Sequence, residues 1–312
     1  MKVASIGECM IELSQVSDGV FARGFGGDTL NTAVYLSRLG IDTTYVTALG
    51  DDALSSTMVT NWNAEGIDTR EVLRVPGALP GLYMIERNTK GERSFLYWRS
   101  QAPARRFFDL ADHATLDRLS RFDWLYLSGI SLSLYSDSGL ERLFTLLKTT
   151  RTRGGRIAFD GNFRPRGWPD RETAQRTFNR LLPLVDLALP TGEDEQALFG
   201  DTDATATIAR LASAGVKEIV VKHGPDACLI AANGEIVEVA PPFVVSPVDT
   251  TAAGDSFNAG YLAARVGNAS IRDAALAGHR LASAVIMLPG AVIPRDQMAQ
   301  ASIRPERTND RQ

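Results

Sequence analysis

The stretch VDTTAAGDSFNAGYLAA, Val248 to Ala264, places small residues and an acid at the mouth of an amphipathic run. Ala252, Ala253 and Gly254 come first, then Asp255, then the helical pattern. Asp255 is expected in the first turn of that helix. The backbone N–H groups around 253–255 are expected to point outward, an anion site helped by the helix dipole. A carboxylate there is expected to stay ionised at neutral pH. The same spacing also suits an acid that only complements the dipole, beside small residues that allow close helix packing. No Walker motif and no kinase-type G-x-G-x-x-G accompanies it.

A second stretch, GFGGDTLNTAVYLSRLG (24–40), leads Gly26 and Gly27 into a helix stopped at Gly40. A glycine pair there serves either as a phosphate cradle or as bare backbone that lets a small polar ligand approach. Between these stretches, β-branched runs alternate with amphipathic ones. Strands are expected at 2–8, 43–50, 123–129, 156–160, 185–190, 217–222 and 227–232. Helices are expected near 53–66, 137–153, 171–182, 192–199, 203–214, 254–267 and 271–287. The alternation implies a mostly parallel sheet with helices on both faces, in one α/β domain spanning 1–312. Two segments break the rhythm. Residues 81–100 read as two strands around Asn88-Thr89-Lys90-Gly91, and 11–25 reads as strand. Together they are expected to form a small sheet off the main body, either a lid or an ordinary surface hairpin.

Composition limits the function. The 312 residues are 44% hydrophobic and 22% charged, with a net charge of −4. That suits a globular chain and argues against a nucleic-acid surface. No apolar run is long enough for a membrane span, and the N-terminal run is broken by Glu8 and Glu12, so a cytoplasmic protein without a signal peptide is expected. Cys9 and Cys228 read as reduced core thiols, and His113, His223 and His279 show no zinc spacing.

DTTAAGDSFNAG closely resembles the D-T-x-G-A-G-D signature of the ribokinase-like, or PfkB, family of sugar kinases. GGDTLNTA is similar to the family's N-terminal glycine-pair signature. The resemblance covers essentially the whole chain. Within the family, GECMIEL, GFGGDTLN, LPGLY, YWR, YLSGISL and GNFRPRGW resemble the 2-keto-3-deoxygluconate kinases. The resemblance implies a ribokinase-like fold with a β lid formed by about 11–25 and 81–100, and phosphoryl transfer from ATP to the 6-hydroxyl of that sugar acid. The alternatives are another PfkB kinase, of ribokinase or fructokinase type, and a sugar-binding protein without catalysis.

The resemblance also assigns residues. Asp255 would take the proton from the substrate hydroxyl, and Ala252, Ala253 and Gly254 would form the anion hole for the phosphoryl group. Gly27, Asp28, Thr29, Leu30 and Asn31 would line the sugar pocket, with Tyr83, Tyr97, Trp98 and Arg99 from the lid and Ala291 from the loop at Gly290. Arg99 and Arg164 would clamp the substrate carboxylate from two sides. On the nucleotide side stand Asn162, Phe163 and Arg164, the turn Lys222-His223-Gly224-Pro225-Asp226-Ala227, residues 252–255, and His279 near the adenine. Two departures stand out. Ala252 occupies a position where many members carry glycine. Thr191 and Asp194 stand where many carry N-x-x-E, so a shorter carboxylate would hold hydrated Mg²⁺. The loop holding Asp249 is where many members take K⁺. The partners implied are ATP, a small sugar acid and a second copy of the chain through the lid, with no nucleic acid or membrane.

Overall fold

The computed structural model describes residues 1–87 and 93–301. The expected turn at 88–91 lies outside them. Thirteen strands are present: β1 (Lys2–Ile6), β2 (Met10–Ser17), β3 (Val20–Gly26), β4 (Asp42–Gly50), β5 (Val72–Val75), β6 (Leu82–Arg87), β7 (Arg93–Trp98), β8 (Trp124–Ser128), β9 (Arg156–Asp160), β10 (Leu187–Ala188), β11 (Glu218–Val221), β12 (Cys228–Ala232) and β13 (Glu235–Val239).

Nine of them form one sheet in the order β13-β12-β11-β10-β9-β8-β1-β4-β5. From β11 to β5 every pairing is parallel, and β12 and β13 add an antiparallel edge. The strands are short and apolar because both faces are covered. Successive residues point to opposite sides, as the pleat requires. Ala4, Ile6, Leu125, Leu127, Ile157 and Phe159 join the core on one face. Val3, Trp124, Tyr126 and Ala158 join the core on the other. The helices Asp28–Arg38, Ala253–Val266 and Ile271–Val285 cover this second face.

Several elements go beyond the sequence reading. Strands β5 and β13 extend the sheet, and short helices occupy Phe107–Leu110, His113–Leu119, Gly129–Leu134 and Arg295–Ala301. The run expected as strand over 185–190 contributes only Leu187 and Ala188 to the ladder. Its flanks still bond the neighbouring strands, through Asp186 N to the Ile157 carbonyl at 2.9 Å and Leu189 N to the Phe159 carbonyl at 2.8 Å.

The two irregular segments form the second sheet, in the order β3-β2-β6-β7. Its base is anchored: Ile11, Leu13, Phe25 and Leu82 pack with Leu30, Val34, Tyr45 and Trp62 of the body. Its outer strand is open, with Phe95, Leu96, Tyr97 and Trp98 all more than a third exposed.

The C-terminal loop is tied to the first helix by charge. Arg38, whose side chain is 4% exposed, donates to both Glu65 oxygens at 2.8 and 2.7 Å and to the Ile293 carbonyl at 2.6 Å. Arg38 holds the Glu65 carboxyl below its ordinary pKa. Arg38→Met leaves the Ile293 carbonyl without this donor and Glu65 with Arg295 as its remaining guanidinium, at 3.1 Å. The expected loss is about 3 kcal/mol, the range for breaking a buried pair. It is read as a lower urea midpoint at unchanged m-value; a loss below about 1 kcal/mol contradicts this role for the tie.

Candidate active site

The carboxyl ends of β1, β8, β9 and β11 converge with the N-termini of two helices, Asp28–Arg38 and Ala253–Val266. Ligands of open α/β sheets bind at this edge. Asp255 lies in the first turn of the second helix and is buried. Asn31, from the first turn of the first helix, donates to Asp255 Oδ2 at 2.9 Å. Thr32 donates to the Asp255 carbonyl at 3.2 Å. The two quoted stretches thus meet at one carboxylate, although 224 residues separate Asn31 from Asp255.

The charge state of Asp255 differs from the sequence expectation. Burial, with the neighbouring charges of Asp28 and Asp160, pushes its pKa up to about 8, against the hydrogen bond from Asn31 and the charge of Lys222. The helix terminus alone favours the anion, but desolvation outweighs it here. Asp28 is raised too, chiefly by burial, while hydrogen bonds from Ser128 and Asn162 oppose the shift.

The turn before Asp255 is strained. Ala252 caps the helix at φ 60° and ψ 18°, in the left-handed region. The Ala253 N–H, expected to point outward, instead bonds the Thr250 carbonyl at 3.2 Å. Asp249 holds the turn from the other side. Its carboxylate accepts from Thr251 N and Oγ1, at 2.9 and 2.6 Å, and from Gly290 N at 3.0 Å. Asp249 is thus a clip between the anion-hole turn and the loop at Gly290. Tyr35 fixes that loop as well, donating to the Ala291 carbonyl at 2.8 Å and accepting from Ile293 N at 3.1 Å.

The glycine pair owes its identity to the protein's own packing. A Cβ on Gly26 would collide with the Tyr83 hydroxyl, and one on Gly27 with the Glu8 carbonyl. Gly27 is extended, at φ 174°, so close approach and not backbone freedom requires glycine there. The Tyr83 hydroxyl donates to Glu12, which also accepts from Ser14 at 2.6 Å. Tyr97 pairs with Tyr83 across the strands, their rings 6.0 Å apart. Trp98 stands beside Tyr97 on β7, 56% exposed. Thr29 and Leu30 are buried in the body, Thr29 bonded to Tyr45 at 3.2 Å.

The two arginines each have a carboxylate of their own. Arg99 forms an ion pair with Glu8, whose side chain is 1% exposed. Arg164 donates to Asp194 Oδ1 at 2.8 Å and to the Phe163 carbonyl at 2.7 Å. Asp194, expected at the metal, is therefore paired with Arg164, and burial raises its pKa. Asn162 sits at φ 33° and donates to Asp28 at 2.7 Å, which ties the end of β9 to the first helix.

On the nucleotide side, Gly224, Pro225 and Asp226 form an exposed turn closed by Asp226 N to the His223 carbonyl, 2.8 Å, with Ala227 half-buried behind it. The His223 ring packs over Gly192, at the start of the helix Gly192–Phe199. His279 is buried, bonds the Val239 carbonyl at 3.0 Å and packs edge-on to Phe257. Burial holds its pKa below the ordinary value. Its ring braces β13 against the helix, so any adenine contact falls to the surface around it. Among residues missed by the sequence reading, Asp160, Asn258, Tyr126 and Glu8 lie within this constellation. Asp160 ends a strand at the binding edge, and that position was its only signal.

The chain matches the pfkB family carbohydrate kinase model over residues 1–298. It is 48% identical over 307 residues to the 2-dehydro-3-deoxygluconokinase of Escherichia coli K12, covering 95% of this chain and 98% of the relative. The fold matches the 2-dehydro-3-deoxygluconokinase structure from Thermotoga maritima, TM-score 0.83 at 21% identity, over 97% of this chain and 99% of the other. It also matches a fructokinase with bound ATP from Xylella fastidiosa, TM-score 0.82 at 22% identity, over 96% and 97%.

Ala252→Gly tests the strained turn. The left-handed backbone costs alanine about 1–2 kcal/mol, and glycine returns about 0.4–1 kcal/mol of that as unfolded-chain entropy. A net gain of up to about 1 kcal/mol is expected in urea unfolding; destabilisation contradicts the strain at this turn. The buried union of Asp255 with the glycine-pair helix, on a sheet of this order and with this family match, settles the class: the chain belongs to the pfkB family of carbohydrate kinases.

Proposed function

We propose that the chain transfers the γ-phosphoryl group of ATP to the 6-hydroxyl of 2-keto-3-deoxy-D-gluconate, the reaction named for its 48%-identical relative. The observation that carries the reading is Asp255, a buried carboxylate at a helix N-terminus, held by Asn31 of the sugar-side helix. In this reading Asp255 accepts the proton of the 6-hydroxyl. The sugar oxygen bonds to the γ-phosphorus, the bond to the β-phosphate oxygen breaks, and ADP leaves. A pKa of about 8 suits a base that must take up a proton and release it near neutrality. The donors of Gly254 and Asp255 face the charge that develops on the phosphoryl oxygens.

Magnesium bound with ATP would neutralise phosphate charge. Among the described residues no group of three or more His, Cys, Asp or Glu could cage a metal. That suits an ion carried mainly by phosphates and water, with Asp194 the candidate carboxylate. The loop holding Asp249 is the candidate for a monovalent cation; the Asp249 carboxylate holds it by accepting from Thr251 and Gly290. No helix of the described residues is long and apolar enough to cross a membrane. The exposed apolar row of β7 supports a homo-oligomer formed through the lid.

A second reading, a kinase of a neutral sugar, is favoured by one observation: Arg99 and Arg164 already have carboxylate partners. For a sugar acid, Arg99 is the nearer candidate, since it leaves the lid strand and is 22% exposed. A charge-assisted hydrogen bond contributes about 1.5–3 kcal/mol. Arg99→Ala should therefore raise KM for the sugar acid about tenfold or more, with KM for ATP unchanged; an equal rise in both would count against the assignment. Asp255→Asn should keep both substrates bound and lower kcat about 10²–10⁴-fold. More than a tenth of the normal kcat would exclude Asp255 as the base.

A further inference from the structure

We propose that Lys222 tunes Asp255: its ammonium is the buried counter-charge that lets this acid act as an anion among converging carboxylates. The proposal rests on Asp255 being the base. Five groups facing Asp255 come from four elements. They are Asp28 and Tyr35 on the first helix, Asp160 at the end of β9, Tyr126 on β8, and Lys222 just after β11. Of these, Asp28 and Asp160 are carboxyl groups, Tyr35 and Tyr126 are phenols, and Lys222 carries the opposing charge.

Lys222 is not free to swing into water. Its side chain is 9% exposed, although a lysine stem normally carries its charge to solvent. The Nζ donates to Asn258 Oδ1 at 2.9 Å and to Asp160 Oδ2 at 3.4 Å. Asn258 in turn donates to Asp160 Oδ2 at 2.7 Å and to the Tyr126 hydroxyl at 3.1 Å. Asn258 lies three residues after Asp255 on the same helix, so this network fixes the ammonium against the element that carries the base. A Cβ on Gly254 would stand 3.5 Å from the Nζ, which places the charge beside the anion-hole turn. One carboxylate and one amide are little compensation for a buried ammonium. A charge kept there at that cost implies a use. The charge of Lys222 opposes the upward push of burial on Asp255, and Asp160 adds to that push.

The test is the pH dependence of kcat, in which Asp255 must be deprotonated. Lys222→Met removes the opposing charge, so the acidic limb should move up by about one pH unit. Asp160→Asn removes a like charge and frees more of the ammonium's field, so the limb should move down. Opposite shifts are a signature of charge that a packing role does not produce. Unfolding midpoints establish that each variant is folded. If Lys222→Met fails to fold, Asp160→Asn decides alone: a lowered limb supports the proposal and an unmoved one overturns it. A raised KM for ATP with the limb unmoved in folded Lys222→Met also overturns it, and leaves Lys222 as a nucleotide contact. Failure of the base assignment has a different mark. Asp255→Asn would then keep its full kcat and the same acidic limb, which overturns both readings together.

Discussion

The hydrogen bond from Asn31 to Asp255 joins the two halves of the site. It couples the first turns of the helices Asp28–Arg38 and Ala253–Val266 through a buried carboxylate. A buried acid with a single amide partner needs further support. That need explains the surroundings: Thr32 on the Asp255 carbonyl, Asn162 on Asp28, and Lys222 held by Asp160 and Asn258. The sheet places these groups because four strand ends reach the same edge. The rest of the fold keeps the two helix N-termini facing one another.

The desolvation that raises Asp255 also gives it chemical value. An exposed aspartate would be ionised at neutral pH and a weak base. The buried one holds a proton more strongly, which suits the role of base proposed for it in phosphoryl transfer. The same burial makes the site sensitive to each neighbouring charge. Under the proposed role, Asp28 and Asp160 act on the base through their charge.

Much of this was legible in the sequence. The glycine pair, the small-residue turn and Asp255 stand in local patterns, and the alternation of strand and helix identifies a parallel α/β sheet. The second sheet was legible because its two segments broke that alternation. Long-range partners were not legible. Nothing near Gly26 or Gly27 indicates that Tyr83 and Glu8 will press against them. Arg99 and Arg164 read as a pair until Glu8 and Asp194 are seen beside them. Burial was equally hidden: the helix-terminus argument for an ionised Asp255 missed the desolvation, and His279, expected near the adenine, is buried and bridges β13 and Phe257.

The central claim is that this site phosphorylates a sugar acid. ADP release should be measured with ATP and magnesium over a panel containing 2-keto-3-deoxygluconate, gluconate, fructose and ribose, with the product located by phosphorus-coupled carbon NMR. The account predicts the highest kcat/KM for 2-keto-3-deoxygluconate and phosphate coupling at its C6. A higher kcat/KM for fructose or ribose, or phosphate on another carbon, would contradict it.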